Sequence, residues 1–268
     1  MLLALDVGNT NTVLGVFKGR ELVYHWRLAT IKNRTVDEYG ILIANLFSAQ
    51  GLPRERIDAI VIACVVPPLM GALEGMSHKY FSLTPLVVRP GIKTGMPILS
   101  DNPSEVGADR IVNGVAAYNK YGGPTIVVDF GTATSFDAIS LRGEYLGGVI
   151  APGISISAEA LFQETAKLPR VDIIKPVTVI GKNTITSMQS GLFYGYISMV
   201  EGIIKRMEKE LGQPSFVVAT GGWVELIGKE IKLIKKIDEN LTLDGLRIIY
   251  ERNQEQPSIK REDKTAKP

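Results

Sequence analysis

Asp6-Val7-Gly8-Asn9-Thr10-Asn11-Thr12 closes an apolar run that starts at Leu2, and Asp129-Phe130-Gly131-Thr132-Ala133-Thr134-Ser135 closes another that starts at Thr125. The two stretches lie 123 residues apart and agree at the Asp and at the Gly two positions on. An acidic residue followed by a glycine turn, set twice at the end of an apolar strand, predicts an internal duplication of about half the chain. A solenoid is excluded by the period, because its repeats run to only about 20–50 residues. Two related α/β domains facing each other across a cleft fit the spacing, and the cleft is where a ligand would sit.

Outward from the first stretch, Leu2–Asp6, Thr12–Phe17 and the alternating Glu21–Leu28 predict three strands joined as hairpins. Val36–Gln50 sets Tyr39, Leu42, Ile43, Leu46 and Phe47 at helical spacing ahead of Gly51. Ile57–Val66 has the composition of a buried strand, Leu69–Phe81 reads as a helix and Leu86–Val88 as a strand, which gives a mixed sheet. Arg89–Glu105, with three prolines and two glycines, forms a loop crossing between halves before Asp109–Tyr121 resumes a helical pattern. The second half opens as the first did, with strands at Thr125–Asp129, Thr134–Ser140 and Gly143–Ile150 and a helix around Ser157–Lys167. Gln189–Leu211 then reads as a long helix, Phe216–Ala219 as a strand closing on Thr220-Gly221-Gly222, and Leu241–Leu243 as a short element. These boundaries predict an N-terminal domain at 1–115 and a C-terminal domain at 116–253. The tail at 254–268 is charged and poor in large apolar groups, and is expected to be disordered.

With 268 residues, 45% of them hydrophobic and 22% charged, the chain can bury a real core. Its formal net charge of +2 supplies no field for gripping nucleic acid or an anionic membrane, so neither is expected as a partner. A single cysteine, Cys64, excludes an intramolecular disulfide and a multi-cysteine zinc site; with only His25 and His78 besides, a transition-metal centre is not expected. The first apolar residues follow no basic region and are interrupted at Asp6, and the run Ala59–Val66 is far too short for a membrane span. The expectation is a soluble cytoplasmic protein. Cys64, Trp26 and Trp223 read as packing residues, and neither histidine is given a catalytic part.

In the Asp6 turn, Gly8 permits a tight reversal, the backbone N–H groups and hydroxyls that follow can face an anion, and Asp6 can hold a hydrated cation beside it. The stretch matches neither a Walker A loop nor a G-x-G-x-x-G fingerprint, and it contains no lysine. An ordinary hairpin turn would use the same residue types, but its repetition at Asp129 favours a phosphate-and-metal loop. Gly107-Ala108-Asp109-Arg110 opens a helix after the crossover. A carboxylate beside a guanidinium suits phosphoryl transfer to an alcohol, the Asp taking the hydroxyl proton late and the Arg steadying negative charge; a helix cap is the alternative for Asp109. The paired glycines of Ala219-Thr220-Gly221-Gly222 would let backbone approach a flat ligand such as adenine, or simply turn strand into helix. Asp6, Asp109 and Asp129 converging on a triphosphate would repel it and one another, so this reading demands metal cations.

Asp6-Val7-Gly8-Asn9-Thr10-Asn11, Val65-Val66-Pro67-Pro68, Gly107-Ala108-Asp109-Arg110, Asp129-Phe130-Gly131-Thr132-Ala133-Thr134, Gly181-Lys182-Asn183-Thr184 and Thr220-Gly221-Gly222 follow one another in the order found in type III pantothenate kinases. The chain resembles that family from about residue 1 to 250, all but the tail. The resemblance implies two duplicated actin-like (ribonuclease H-like) α/β domains with mixed sheets facing a central cleft. It also implies ATP-dependent phosphorylation of the primary alcohol of pantothenate, the first step of coenzyme A biosynthesis. By that resemblance Asp6, Val7, Gly8, Asn9, Thr10, Asn11, Thr12 and Val13 cradle the ATP phosphates, with Asp6 near magnesium through water, and Thr132 adds a phosphate contact. Asp129 resembles the ligand of a monovalent cation, potassium or ammonium. Gly107, Ala108, Asp109 and Arg110 resemble the pantothenate-binding stretch, with Asp109 as proton acceptor. Thr184 resembles a residue that reaches pantothenate from the partner subunit of a homodimer, so that two chains share the active site; an N-cap before the long helix is its alternative. Where many relatives carry a Tyr before Asp-Asn-Pro, this chain has Ser100, which is too short for the same contact and implies a loss of about 0.5–1.5 kcal/mol if one hydrogen bond is missing. Two other functions fit the same resemblance: a non-catalytic regulator of the transcription accessory factor type, and a kinase acting on another small alcohol.

Overall fold

A computed structural model describes residues 1–254, and the expected disordered tail falls outside them except for Gln254, which ends a helix. The first half runs β1 (Leu2–Val7), β2 (Asn11–Lys18), β3 (Glu21–Ala29), α1 (Val36–Ala49), β4 (Ala59–Cys64), α2 (Met70–Phe81), β5 (Leu86–Val87) and α3 (Ala108–Tyr121). The second runs β6 (Thr125–Phe130), β7 (Ala133–Ile139), β8 (Tyr145–Pro152), α4 (Ile154–Gln163), α5 (Thr184–Leu211), β9 (Phe216–Thr220), α6 (Val224–Ile227), β10 (Lys236–Ile237) and α7 (Leu241–Gln254).

Local chemistry sets these boundaries. Thr35 caps α1 in a reciprocal box with Glu38, and Asn183 caps α5 in the same way with Thr186, so α5 begins five residues earlier than its apolar periodicity suggested. In β1, Leu3, Leu5 and Val7 face one core and Leu2 and Ala4 the other, the period-two alternation of a strand covered on both sides.

Each half builds one five-stranded sheet, in the orders β3-β2-β1-β4-β5 and β8-β7-β6-β9-β10, with the two hairpin pairs antiparallel and the rest parallel. The duplication is thus complete at the level of topology. Its register holds one correction to the ungapped alignment. Asp6 pairs with Val13 across β1 and β2, whereas Asp129 pairs with Ser135 across β6 and β7, because the second turn is one residue shorter. Beyond the glycines the structural offset is therefore 122, and Thr10 corresponds to Thr132 rather than to Ala133.

Among the described residues the helical layer between the sheets consists of α3 and α7, and the two helices exchange partners. α7 packs on β1, β2 and β4 of the first sheet, while α3 packs on β6 and β7 of the second as well as on β4. One central core holds Ala4, Phe17 and Val61 together with Val112, Val127, Val218 and Leu246. Two outer cores lie beneath α1 and α2 on one side and beneath α5 and α6 on the other. The expected division at 115/116 falls inside α3, and the topological repeat closes after Tyr121. The short element expected at Leu241–Leu243 is instead the first turn of a 14-residue helix; its length follows from a buried stripe, Leu241, Leu243, Leu246, Ile248 and Ile249, on which the central layer depends.

α3 and α7 cross where Gly245 meets the backbone of Val112. A Cβ at Gly245 would stand 2.2 Å from the Val112 carbonyl oxygen, with backbone on both sides of the contact. Gly245→Ala is therefore expected to lower stability by about 1–3 kcal/mol through overpacking, although alanine favours helix over glycine elsewhere. Equilibrium urea unfolding of the two proteins measures the difference, and an unchanged midpoint would show that the layer is not tightly packed.

Candidate active site

The end of β1 and the end of β6 open on one cleft of about 340 Å³ between the halves. Asp6, Gly8, Asn9, Thr10, Asn11 and Val13 line it from the first half and Asp129, Gly131, Thr132 and Ser135 from the second, with Asp109 and Arg110 at the start of α3. The two acidic turns meet directly, since the hydroxyls of Thr10 and Thr132 lie 2.7 Å apart. Val7 and Thr12 sit behind the turn, fully buried, with the Thr12 hydroxyl 2.9 Å from that of Thr30. They support the loop and do not face the cleft. Gly107 is the N-cap of α3 and Ala108 its first residue, so both place Asp109 without lining the cleft themselves.

Gly107 makes no side-chain cap, and Asp109, one residue inside the helix, accepts the Arg110 backbone N–H at 2.8 Å. The carboxylate thus steadies the first turn while still facing the cleft. Burial raises its pKa above the usual carboxylate range, against the lowering effect of that N–H and of the Arg110 charge.

Arg110 is not free to follow a ligand. Its Nε donates to Asp137 Oδ1 at 2.8 Å, its Nη2 lies 2.7 Å from the same oxygen, and Tyr145 donates its hydroxyl there at 2.7 Å. Asp137 is wholly buried and Arg110 only 17% exposed, so the pair is fixed beneath the cleft surface.

Asp129 is held from the central layer. Asn113 on α3 donates to its Oδ2 at 3.1 Å, and Thr242 on α7 donates to Asn113 Oδ1 at 2.7 Å. Gly221, at φ +100°, leaves room for the other carboxylate oxygen, since a Cβ there would stand 2.5 Å from Asp129 Oδ1. The glycine pair therefore divides its work: Gly221 accommodates Asp129, and Gly222 stays open to the cleft.

Desolvation and mutual repulsion dominate the electrostatics. Burial, then the charges of Asp109 and Asp129, push the Asp6 pKa to about 8. Burial, then Asp109 and Asp137, push Asp129 to about 7, while Asn113 and Arg27 pull it down. Hard oxygen donors crowded in this way suit hard cations such as magnesium or an alkali ion. Among the described residues no three His, Cys, Asp or Glu side chains gather closely enough to ligate one ion unaided, so a cation here completes its shell with backbone oxygen, water or phosphate.

Thr184 lies elsewhere, in an apolar groove between α4 and α5 with Leu161, Leu168, Met188 and Leu192. It is exposed, and the cap of α5 is Asn183, which rules out the N-cap alternative. Ser100 lies outside the cleft lining, its Oγ buried without a partner. Among the cleft and supporting residues that escaped the sequence reading are Arg27, Asn113, Asp137 and Thr242. Asp137 alternates with Ser135 on a strand whose cleft end was already in view; the other three carried no motif.

The sequence profile of the type III pantothenate kinases matches residues 2–206. Proteins named type III pantothenate kinase from Myxococcus xanthus and Moorella thermoacetica are 60% and 59% identical over 253 residues, covering 94% of this chain and 99% and 100% of theirs. One from Koribacter versatilis is 59% identical over 264 residues, 95% of this chain and 96% of its own. A crystal structure described as a Baf family transcriptional activator from Campylobacter jejuni is similar with a TM-score of 0.60 at 20% identity, covering 95% of this chain and all of the other. The activator of 2-hydroxyisocaproyl-CoA dehydratase from Clostridium difficile, with bound ADPNP, is similar with a TM-score of 0.52 at 12% identity, over 94% and 96% of the two chains. Such distant likenesses establish the fold alone, two α/β halves, each with a five-stranded mixed sheet, facing a cleft.

The raised carboxylates give the ligand-free protein a definite pH dependence. Between the unfolded pKa near 3.8 and the folded value of about 8 for Asp6, the folded chain binds more protons than the unfolded one, so stability falls as pH rises through that window. Asp129, at about 7, and Asp137, at about 6, act in the same direction. Thermal unfolding of ligand-free protein is expected to show a midpoint that declines from pH 5.5 to pH 8.5, with a shallower decline in Asp6→Asn. A midpoint that rises over this range would contradict the site electrostatics.

Proposed function

The chain belongs to the type III pantothenate kinases, enzymes that phosphorylate pantothenate with ATP and a divalent cation, and from that premise we propose how its own cleft performs the transfer. The observation that carries the proposal is the meeting of Asp6, Asp109 and Asp129 around one cleft whose two acidic turns touch.

ATP lies with its phosphates over the Asp6–Val13 turn. The Gly8 N–H closes the turn on the Asn11 carbonyl at 3.0 Å, which leaves the backbone N–H groups of Asn9 and Thr10 and the hydroxyls of Thr10 and Thr132 to donate to phosphate oxygens. Asp6, through water, would hold magnesium, and Asp129 would hold potassium or ammonium; these cations would offset the charge that the carboxylates and the triphosphate otherwise set against each other. Pantothenate lies against Asp109 and Arg110, which Gly107 and Ala108 position at the start of α3, with Arg110 kept in place by Asp137.

The primary alcohol oxygen forms a bond to the γ-phosphorus. The bond from that phosphorus to the β–γ bridging oxygen breaks, and its electron pair leaves on ADP. Asp109 orients the hydroxyl and takes its proton late in the step. Its raised pKa makes it a better acceptor than a surface aspartate.

Thr184 is proposed to reach pantothenate across a homodimer. Its supports are that Asn183 rather than Thr184 caps α5, and that apolar side chains of its groove and its own chain segment, Leu161, Val179, Ile180 and Ile185, are exposed. The enzyme is placed in the cytoplasm, working on small molecules rather than on nucleic acid or membrane; the net charge of +2 supports this, and among the described residues no helix is long and apolar enough to cross a membrane.

A coupled ATP-consumption assay with pantothenate and a panel of sugars, each with and without potassium, tests the proposal. Pantothenate alone is expected to support turnover, and potassium to raise it. Turnover confined to a sugar would point to another alcohol, and none at all to a regulator. Asp109→Asn is expected to lose 10²–10⁴ in kcat with no fall in its thermal midpoint; near-normal kinetics would remove Asp109 as proton acceptor. Mixing Thr184→Ala chains with Asp109→Asn chains is expected to restore part of the activity in heterodimers, and no recovery would mean that each subunit works alone.

A further inference from the structure

Arg27 lies on β3 opposite Val13, which in turn lies opposite Asp6, so the three residues form one row across the first sheet. Side chains in such a row share a face, and Arg27 stands two strands, about 10 Å, from the Asp6 backbone. Its Nη1 reaches into the other half, 3.5 Å from where a Cβ of Gly222 would sit. The guanidinium therefore spans the cleft from the acidic turn of one half to the glycine turn of the other.

Arg27 and Arg110 are the two cations that line the cleft, against the carboxylates Asp6, Asp109, Asp129 and Glu239. Arg110 is committed to Asp137, whereas Arg27 makes no ion pair among the described residues. The equivalent row of the second sheet runs Asp129, Ser135, Ile150, so the duplication sets an aliphatic side chain where the first half sets a cation. Both Arg27 and Ile150 line the cleft. A guanidinium with no ion pair in a cleft crowded with carboxylates suits an anionic ligand able to take bidentate hydrogen bonds, and a polyphosphate spanning both turns meets that requirement.

Resting on the placement of ATP described above, we propose that Arg27 is a catalytic residue that clamps the ATP polyphosphate across the cleft and stabilises the negative charge that passes to ADP as the bond from the γ-phosphorus to the bridging oxygen breaks. Arg27 donates hydrogen bonds only; the alcohol proton still goes to Asp109, and the electron pair of the broken bond leaves with ADP. The field of Arg27 already acts on the region, pulling down the pKa values of both Asp6 and Asp129.

Arg27→Met keeps the length of the side chain and removes its charge, and Arg27→Lys keeps the charge without the fork. Steady-state kinetics at saturating pantothenate are expected to show kcat reduced 10²–10³-fold in Arg27→Met, with KM for pantothenate within threefold of the parent. Arg27→Lys is expected to recover at least tenfold of that loss. Calorimetric titration should show weaker binding of both ADP and a non-hydrolysable ATP analogue by Arg27→Met. A kcat within threefold of the parent, a loss confined to KM for pantothenate, or a fall in thermal midpoint with turnover per folded molecule unchanged would each overturn the assignment. Asp109→Asn assayed alongside separates the two ideas. An inactive Asp109→Asn beside a normal Arg27→Met defeats the arginine clamp alone, whereas a fully active Asp109→Asn defeats the placement of substrates in this cleft and the clamp with it.

Discussion

Asp6, Asp109 and Asp129 share one cleft, where burial and repulsion oppose full charge on all three at once. Burial is the first cause of the upward shift at each, and at Asp6 and Asp129 mutual repulsion is the second. A protein gains nothing in stability from such an arrangement, because like charges withdrawn from water raise the folded state's free energy. The surrounding structure has to hold them there. Asn113 and Thr242 restrain Asp129, the Arg110 backbone restrains Asp109, and paired strands on both sides restrain Asp6. What the scaffold spends on this cluster is returned when cations and a polyphosphate arrive, since the same repulsion then becomes affinity for positive charge.

The exchange of α3 and α7 between the sheets is what makes that restraint possible. Each helix starts at the cleft and runs back through the central core, so both halves fasten it. Counted from the first residue of each helix, Asp109 on α3 corresponds to Thr242 on α7, and Val112 to Gly245. The second pair is in contact, as are Thr10 and Thr132 at the turns, and the two contacts mark the approximate two-fold relation between the halves. Residues near that relation serve both halves at once, which is why a small side-chain change there acts on packing and on the cleft together.

Legibility in the sequence followed the range of the interactions concerned. The acidic turns were readable because each is local, a strand end and a glycine within a few residues, and because the duplication prints the pattern twice. The strands were readable from apolar runs and the helices from periodicity, with α5 misjudged only where its capping box, Asn183 with Thr186, outranks apolar spacing. α7 was missed as a helix because its buried stripe is interrupted by Thr242, Asp244 and Gly245, residues that pay off only against a partner helix and a cleft. Asn113 and Arg27 left no local mark, since one acts on a residue 16 positions away and the other across the cleft. The one-residue difference between the two turns was likewise invisible to an ungapped comparison and clear in the strand register.

Duplication by itself yields a symmetric cleft, and a symmetric cleft cannot tell a phosphoryl donor from an acceptor. The chemistry comes from where the halves have parted. At the helix starts one half offers Asp109, able to take a proton, and the other Thr242, a hydroxyl that donates to Asn113. On the third strand of each sheet one half sets Arg27 and the other Ile150 at equivalent positions. In the placement of ATP proposed above, both turns face phosphate oxygens, which makes the same demand on each. Polarity in the reaction, from triphosphate to alcohol, thus resides in a few side chains that broke the relation between the halves, while the backbone that carries them kept it.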